Sequence, residues 1–135
     1  MATFRLKIVT PDGLQFDGEA TELSVRATSG QVGILARHTD FVTPLGLGEA
    51  TIVTESGTRK AACIGGMLSV LDGKVTLVPT TFEWADQIDA ARADASYERA
   101  QKVLHKKDAT SQEIRMAEAR LKRALIRKSV AQQSR

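Results

Sequence analysis

The sequence predicts an α+β protein, with an N-terminal antiparallel β-sandwich followed by a C-terminal antiparallel helix–loop–helix hairpin. Three observations carry that prediction. Apolar residues alternate with period two as far as residue 84, and glycine and proline vanish after residue 85. The net charge of +3 is also unevenly divided. Residues 1–84 hold 7 Lys and Arg against 9 Asp and Glu, whereas 85–135 hold 12 against 7. The expected boundary between sandwich (1–84) and hairpin (85–135) lies where all three change.

The strands follow from the alternation. Phe4, Leu6 and Ile8 are interleaved with Arg5 and Lys7, and Leu23 and Val25 with Glu22, Ser24 and Arg26. Val75 and Leu77 flank Thr76. Such runs mark strands with one buried face. Asp12-Gly13, Asp17-Gly18, Ser29-Gly30, Ser56-Gly57 and Asp72-Gly73 read as turns between them. Ser56-Gly57, set between ATIVTE and TRKAACIG, is the clearest hairpin signal.

Two helices are predicted, roughly over 86–105 and 111–131. Asp86 is the expected cap of the first, with Asp89 in its opening turn, where the helix dipole favours an acid. HKKDATSQE (105–113) connects them, and Thr110 with Glu113 forms a T-x-x-E capping box for the second. The first helix carries two candidate packing stripes, Ile88–Ala91–Ala95 and Ala93–Ala100–Leu104. The second offers Ile114, Ala117, Leu121, Ala124 and Leu125. Burying a large aliphatic contributes roughly 1.5–3 kcal/mol and alanine much less. Ordering a residue costs about 1–2 kcal/mol of backbone entropy. An alanine-rich pair of helices is therefore marginal alone.

Composition excludes several classes. The 42% hydrophobic and 26% charged content are those of a folded soluble domain. A lone cysteine, Cys63, excludes an internal disulfide and fits a reducing compartment. Met1–Thr10 has no apolar signal-peptide core, and the uncharged stretch from Ala61 to Leu71 is too short to span a bilayer. A soluble, cytosolic-type chain is expected. No nucleophile, base and acid can be assembled, so no enzymatic site is expected. His38 lacks companion ligands at metal-binding spacing. Gly65-Gly66 lacks a P-loop lysine and reads as a bulge or a tight strand contact. Cys63 reads as a small buried strand residue, and Trp84 as the anchor of the junction between the two parts.

The arginines are the strongest functional signal. Arg92 and Arg99 are seven residues apart and lie within about 20° on one helix face. Arg123 and Arg127 share a face of the second helix at i,i+4. Antiparallel packing through small residues can bring the pairs together, where their mutual repulsion favours an anion. A planar guanidinium donates two parallel bonds to phosphate or carboxylate. The plainer alternative is an exposed Asp89–Arg92 pair at a helix start.

IVTPDG (8–13), SGQVGIL (29–35), His38, IGGMLSV (64–70) and IDAARA (88–93) occur in this order over essentially the whole chain. In this they resemble the epsilon subunit of the bacterial F-type ATP synthase. The last stretch matches an [I/L]-D-x-x-R-A motif associated with ATP binding in some members. The resemblance implies a non-catalytic central-stalk subunit that binds the gamma subunit and the membrane c-ring through its sandwich. It also implies a mobile hairpin that limits ATP hydrolysis at the alpha/beta hexamer, through an acidic region of beta. Its place would be peripheral, on the cytoplasmic face of the bacterial membrane. ATP would be a regulatory ligand, with Mg²⁺ left open. Carried onto this chain, the nucleotide site comprises Ile88, Asp89, Arg92 and Ala93, with Arg99, Arg123, Arg127 and Glu83 as further contacts. Asp89 would accept from the adenine amino group and the guanidiniums would neutralise phosphate.

The chain departs from the family pattern in its loops. Gln31 stands where a glutamate is common, Ala36-Arg37-His38 replaces Pro-Gly-His, Asp40 replaces the following proline, and Ile64 replaces the serine before Gly65-Gly66. The alternative reading, a basic helical adaptor or nucleic-acid binder, rests on the Lys- and Arg-rich tail. Only 4% aromatic content and the absence of any nucleic-acid motif stand against it.

Overall fold

The computed structural model describes residues 2–133. The chain divides into two compact units, 1–84 and 85–135. The first is all β: β1 (Phe4–Thr10), β2 (Gly13–Ala20), β3 (Glu22–Ala27), β4 (Gly30–Leu35), β5 (Phe41–Pro44), β6 (Leu47–Thr54), β7 (Gly57–Leu71) and β8 (Lys74–Trp84). Their hydrogen-bonded order is β2-β1-β8-β7-β6-β3-β4, with β5 also on β7. All pairs are antiparallel except β1–β8, which is parallel, with Leu6 opposite Val75 and Ile8 opposite Leu77.

The sheet folds over itself into the sandwich. Leu6 and Ile8 from one end of the strand order and Leu23, Val25 and Ile34 from the other share one core with Ile52, Leu68 and Leu77. The alternation seen in the sequence is the inward and outward alternation of these strands. On β1 the outward Arg5 pairs with Asp17 of β2 at 2.7 Å. Trp84 belongs to this core: it meets Phe82 edge-on at 4.9 Å between ring centroids, and Arg59 lies 3.6 Å over its ring. The contacts of its ring therefore lie within the sandwich.

Three turns put glycine where a side chain is disfavoured. Gly13, Gly30 and Gly57 each open a strand at positive φ, after Pro11-Asp12, Thr28-Ser29 and Glu55-Ser56. Asp72-Gly73, with φ of 51° and 79°, makes the two-residue turn between β7 and β8. Asp17-Gly18 is not a turn. It lies inside β2 opposite Leu6 and Lys7, with the Phe16 ring folded over the glycine. The expectation of a bulge at Gly65-Gly66 gives way to its alternative, tight packing. The β7–β8 register passes through without a shift, and a Cβ on Gly66 would lie 2.0 Å from the Val78 carbonyl oxygen. There β7 leaves β6 and begins to pair with β5.

The second unit starts with a 3-10 turn, Ala85–Gln87, and continues as α1 (Ala90–Leu104) and α2 (Ser111–Gln133). Asp89, not Asp86, caps α1. The turn closes through Ile88 N–H on the Ala85 carbonyl, leaving Asp86 inside it. The backbone then extends at Asp89, whose Oδ1 accepts from the Arg92 N–H at 3.1 Å. At α2 both halves of the capping box form, Glu113 N–H to Thr110 Oγ1 and Thr110 N–H to Glu113 Oε1, each 3.1 Å.

Of the two candidate stripes on α1, the second is buried. Ala93 and Ala100 are covered while Ala91 and Ala95 are exposed. On α2 the covered positions among the described residues are Ala117, Ala124, Val130 and Ala131. Alanines at seven-residue spacing on both helices make a thin seam that lets the backbones approach closely. Lys128 clips one side of it, 3.3 Å from Asp94 and 4.3 Å over the Tyr97 ring.

Candidate functional site: an arginine-lined groove in the hairpin

On the side of the seam opposite Lys128 the helices part to form a groove of about 560 Å³. That volume is within the range of small-molecule sites. Alpha1 contributes Ser96, Arg99 and Val103, and α2 contributes Met116, Arg120, Arg123 and Arg127. Ala100 and Ala117 form its floor. Glu113 stands at the end near the helix connection. Its carboxyl is held below the usual carboxylate range by the Thr110 backbone N–H, the Thr110 hydroxyl and then Lys106, 3.9 Å away. Its charge is thus already engaged by the cap and by Lys106. Among the described residues Arg99, Arg120 and Arg123 have no hydrogen-bond or ion-pair partner. The groove is therefore strongly cationic, with an apolar floor and an apolar wall at Val103 and Met116.

The predicted site residues fall into three groups. Arg99, Arg123 and Arg127 come together in the groove. Arg92 is exposed in the first turn of α1, on the same face as Arg99 and about 10 Å along the axis. Asp89 is its cap, Ile88 is half-buried in the segment before it, and Ala93 is spent on the seam. Glu83 belongs to the sandwich, on β8 opposite Ala62. Arg120 escaped the sequence reading, although it lies seven residues before Arg127, the same spacing that singled out Arg92 and Arg99.

The family comparison agrees with this architecture domain by domain. The pattern of the ATP synthase delta/epsilon chain β-sandwich domain matches residues 3–85, and that of its long α-helix domain matches 86–132. The ATP synthase epsilon chain of Ruminococcus albus is 41% identical over 132 residues, covering 97% of this chain and 98% of that one. That of Bacillus velezensis is 40% identical over 131 residues, covering 97% and 98%. The chain belongs to the ATP synthase epsilon chain family.

The fold is shared more widely still. A chain in the structure of the Euglena gracilis mitochondrial ATP synthase, solved as OSCP, F1 and c-ring, superposes with a TM-score of 0.83 at 20% identity. The match covers 96% of this chain and 81% of that one. A chain of the Tetrahymena thermophila mitochondrial central stalk and c-ring gives 0.61 at 14% identity, covering 94% and 95%.

Within this epsilon-family sandwich the loop departures have local explanations. Arg37, in the glycine position of Pro-Gly-His, adopts φ of 67°, the left-handed conformation glycine would take without cost. Asp40, in place of proline, accepts through Oδ1 from the Asp72 N–H at 2.9 Å and so ties the loop to the β7–β8 turn. His38 donates from Nδ1 to the Thr39 carbonyl at 2.7 Å and leans on Phe41. Gln31 reaches across to Ser24 Oγ at 2.7 Å. Among the described residues no group of three or more His, Cys, Asp or Glu converges, and no helix is long and apolar enough to cross a membrane.

Proposed function

We propose that this chain is the central-stalk rotor subunit of a proton-translocating F-type ATP synthase, at the cytoplasmic face of the bacterial membrane. It couples proton flow to ATP synthesis and limits ATP hydrolysis through its C-terminal helices. ATP held by the hairpin favours the non-inhibiting state. The chain itself performs no chemistry. The observation that carries the nucleotide reading is the convergence of Arg99, Arg123 and Arg127, chosen from sequence, on one groove.

Two surfaces support the assembly reading. On the sandwich Pro44, Met67 and Val78 are successive cross-strand neighbours, and all three are exposed. Val42, on the same face of β5, and Leu14, beyond Val9 at the far side of β1, extend an outward apolar band suited to the gamma subunit and c-ring. On α2, Arg115 and Lys122 are exposed away from the groove, a basic face suited to an acidic region of beta in the alpha/beta hexamer.

Calorimetric titration with ATP tests the first reading. Arg92→Ala should bind roughly ten- to a hundredfold more weakly, as loss of a charged hydrogen bond implies. Asp89→Ser, which keeps the helix cap, should lose adenine selectivity more than phosphate affinity. No binding by the wild type at millimolar ATP would remove the nucleotide role. For the second reading, Arg115→Gln with Lys122→Gln should raise ATP hydrolysis by the reconstituted complex while assembly stays intact. Unchanged hydrolysis would remove electrostatic docking on beta.

A further inference from the structure

We infer that Lys128 is the pin of an inter-helix latch, closed over Tyr97 with Asp94 as a second hold, that keeps the hairpin shut without any ligand. Lys128 sits near the end of α2, and its two partners lie in the first half of α1. The latch therefore spans the open end of the hairpin, away from the connection through 105–110. The Lys128 Nζ is 3.3 Å from Asp94 Oδ1 and 4.3 Å over the centre of the Tyr97 ring. The ring is itself braced: Gln101, one turn on, donates from Nε2 to the Tyr97 hydroxyl at 2.9 Å. A cation, a carboxylate and a fixed aromatic face thus meet at one point across the two helices.

Two features of the hairpin make this point matter. The seam beneath it is built mainly of alanines, whose burial contributes little, so the helices need further ties to stay together. Across that seam, Arg99 of α1 and Arg120 and Arg123 of α2 line one groove without partners among the described residues. Their like charges repel, and the latch on the other edge must break before the helices can part. The aromatic contact carries more of the hold than the ion pair. The Asp94 side chain is 61% exposed, and a charge pair so open to water is worth little. The Lys128 side chain is only 29% exposed, and a partly desolvated ammonium gains more from a ring face than an exposed one. Lys128, Asp94 and Tyr97 all lie outside the groove lining, so closure of the latch does not depend on what the groove binds.

Hydrogen exchange on the full chain, free of nucleotide, tests the latch in wild type, Lys128→Gln, Tyr97→Leu and the double variant. Lys128→Gln should speed exchange of the α1 and α2 amides about three- to tenfold and leave the β-strand amides unchanged. Tyr97→Leu should do the same. The double variant should be no faster than the faster single one, because both substitutions remove one contact. Lys128→Arg, which keeps a cation over the ring, should stay within about twofold of wild type. If Lys128→Gln melts the helices outright, Lys128→Arg decides: a folded hairpin supports the latch and a melted one overturns it. Wild-type exchange in Lys128→Gln, effects that multiply in the double variant, or Lys128→Arg as fast as Lys128→Gln would each overturn it as well.

Discussion

Three single positions of the sandwich carry physical commitments that measurement can reach. Arg37 holds a left-handed backbone at φ of 67° with its side chain in solvent. That conformation costs an L-residue roughly 1–2 kcal/mol, whereas glycine gives back about 0.4–1 kcal/mol through the freer unfolded chain. Arg37→Gly should therefore stabilise the sandwich by up to about 1 kcal/mol, seen as a higher urea midpoint of Trp84 fluorescence. A lower midpoint would mean that Arg37 makes a contact worth more than the strain. Gly66→Ala should do the reverse and cost about 3 kcal/mol or more, because its Cβ would meet the backbone of Val78 and Pro79. Cys63 makes a pH prediction. Burial pushes its thiol up to about 12, whereas an unfolded cysteine ionises near about 8.5. Its folded pKa is raised, so its contribution is fully present below about pH 8.5 and is lost as pH climbs towards 12, at roughly 1.4 kcal/mol per unit. Urea unfolding at pH 8, 9 and 10 should fall more steeply for wild type than for Cys63→Ala. Parallel slopes would place the thiol in contact with solvent.

At the level of elements, the α2 start is the clearest place to separate propensity from packing. Its two reciprocal bonds join Thr110 and Glu113, both outside the seam. Thr110→Ala should cost about 1 kcal/mol and speed amide exchange over 111–114 while leaving α1 unchanged. Equal exchange rates would show the turn held by something other than the cap. The existence of these elements was legible because their signals are local: period two, turn glycines, a capping box. What was not legible depended on partners distant in sequence. Nothing near Leu6 announces a parallel neighbour at Val75, since β1–β8 pairing joins the first strand to the last. Asp17-Gly18 has turn chemistry, yet pairing with β1 holds it in a strand. Asp86 and Asp89 are equally good caps, and closure of Ile88 onto Ala85 decides between them. The two alanine stripes of α1 differ little in hydrophobicity, so only the facing alanines of α2 select Ala93–Ala100. Helical spacing and the motif single out Arg99, Arg123 and Arg127, but Arg120 needs the opposite helix to show that its face lines a groove.

The whole molecule joins a well-filled unit to a thin one, and that asymmetry sets how it should come apart. Every member of the main core cluster, from Phe4 to Trp84, lies in residues 1–84. It includes fully buried Leu6, Ile8, Leu23, Ile34, Ile52, Leu68 and Leu77, each contributing roughly 1.5–3 kcal/mol. From Ala85 onward, the fully covered hydrophobics of the described residues are alanines and Val130. Alanine side chains recover little of the backbone entropy lost on ordering, about 1–2 kcal/mol per residue. A fragment ending at Trp84 should therefore unfold cooperatively, with a midpoint near that of the sandwich in the intact chain. A fragment of residues 85–135 alone should show little helix by circular dichroism and gain it when ATP is added. In the intact chain, ATP at 100 times its dissociation constant should add about 2.7 kcal/mol of protection to amides of α1 and α2 by mass action. The β-strand amides should not respond. The measurement is hydrogen exchange on the full chain with and without ATP, beside thermal unfolding of both fragments. A fragment 1–84 with no cooperative transition, or ATP protection spread evenly over strands and helices, would mean that the two units fold as one.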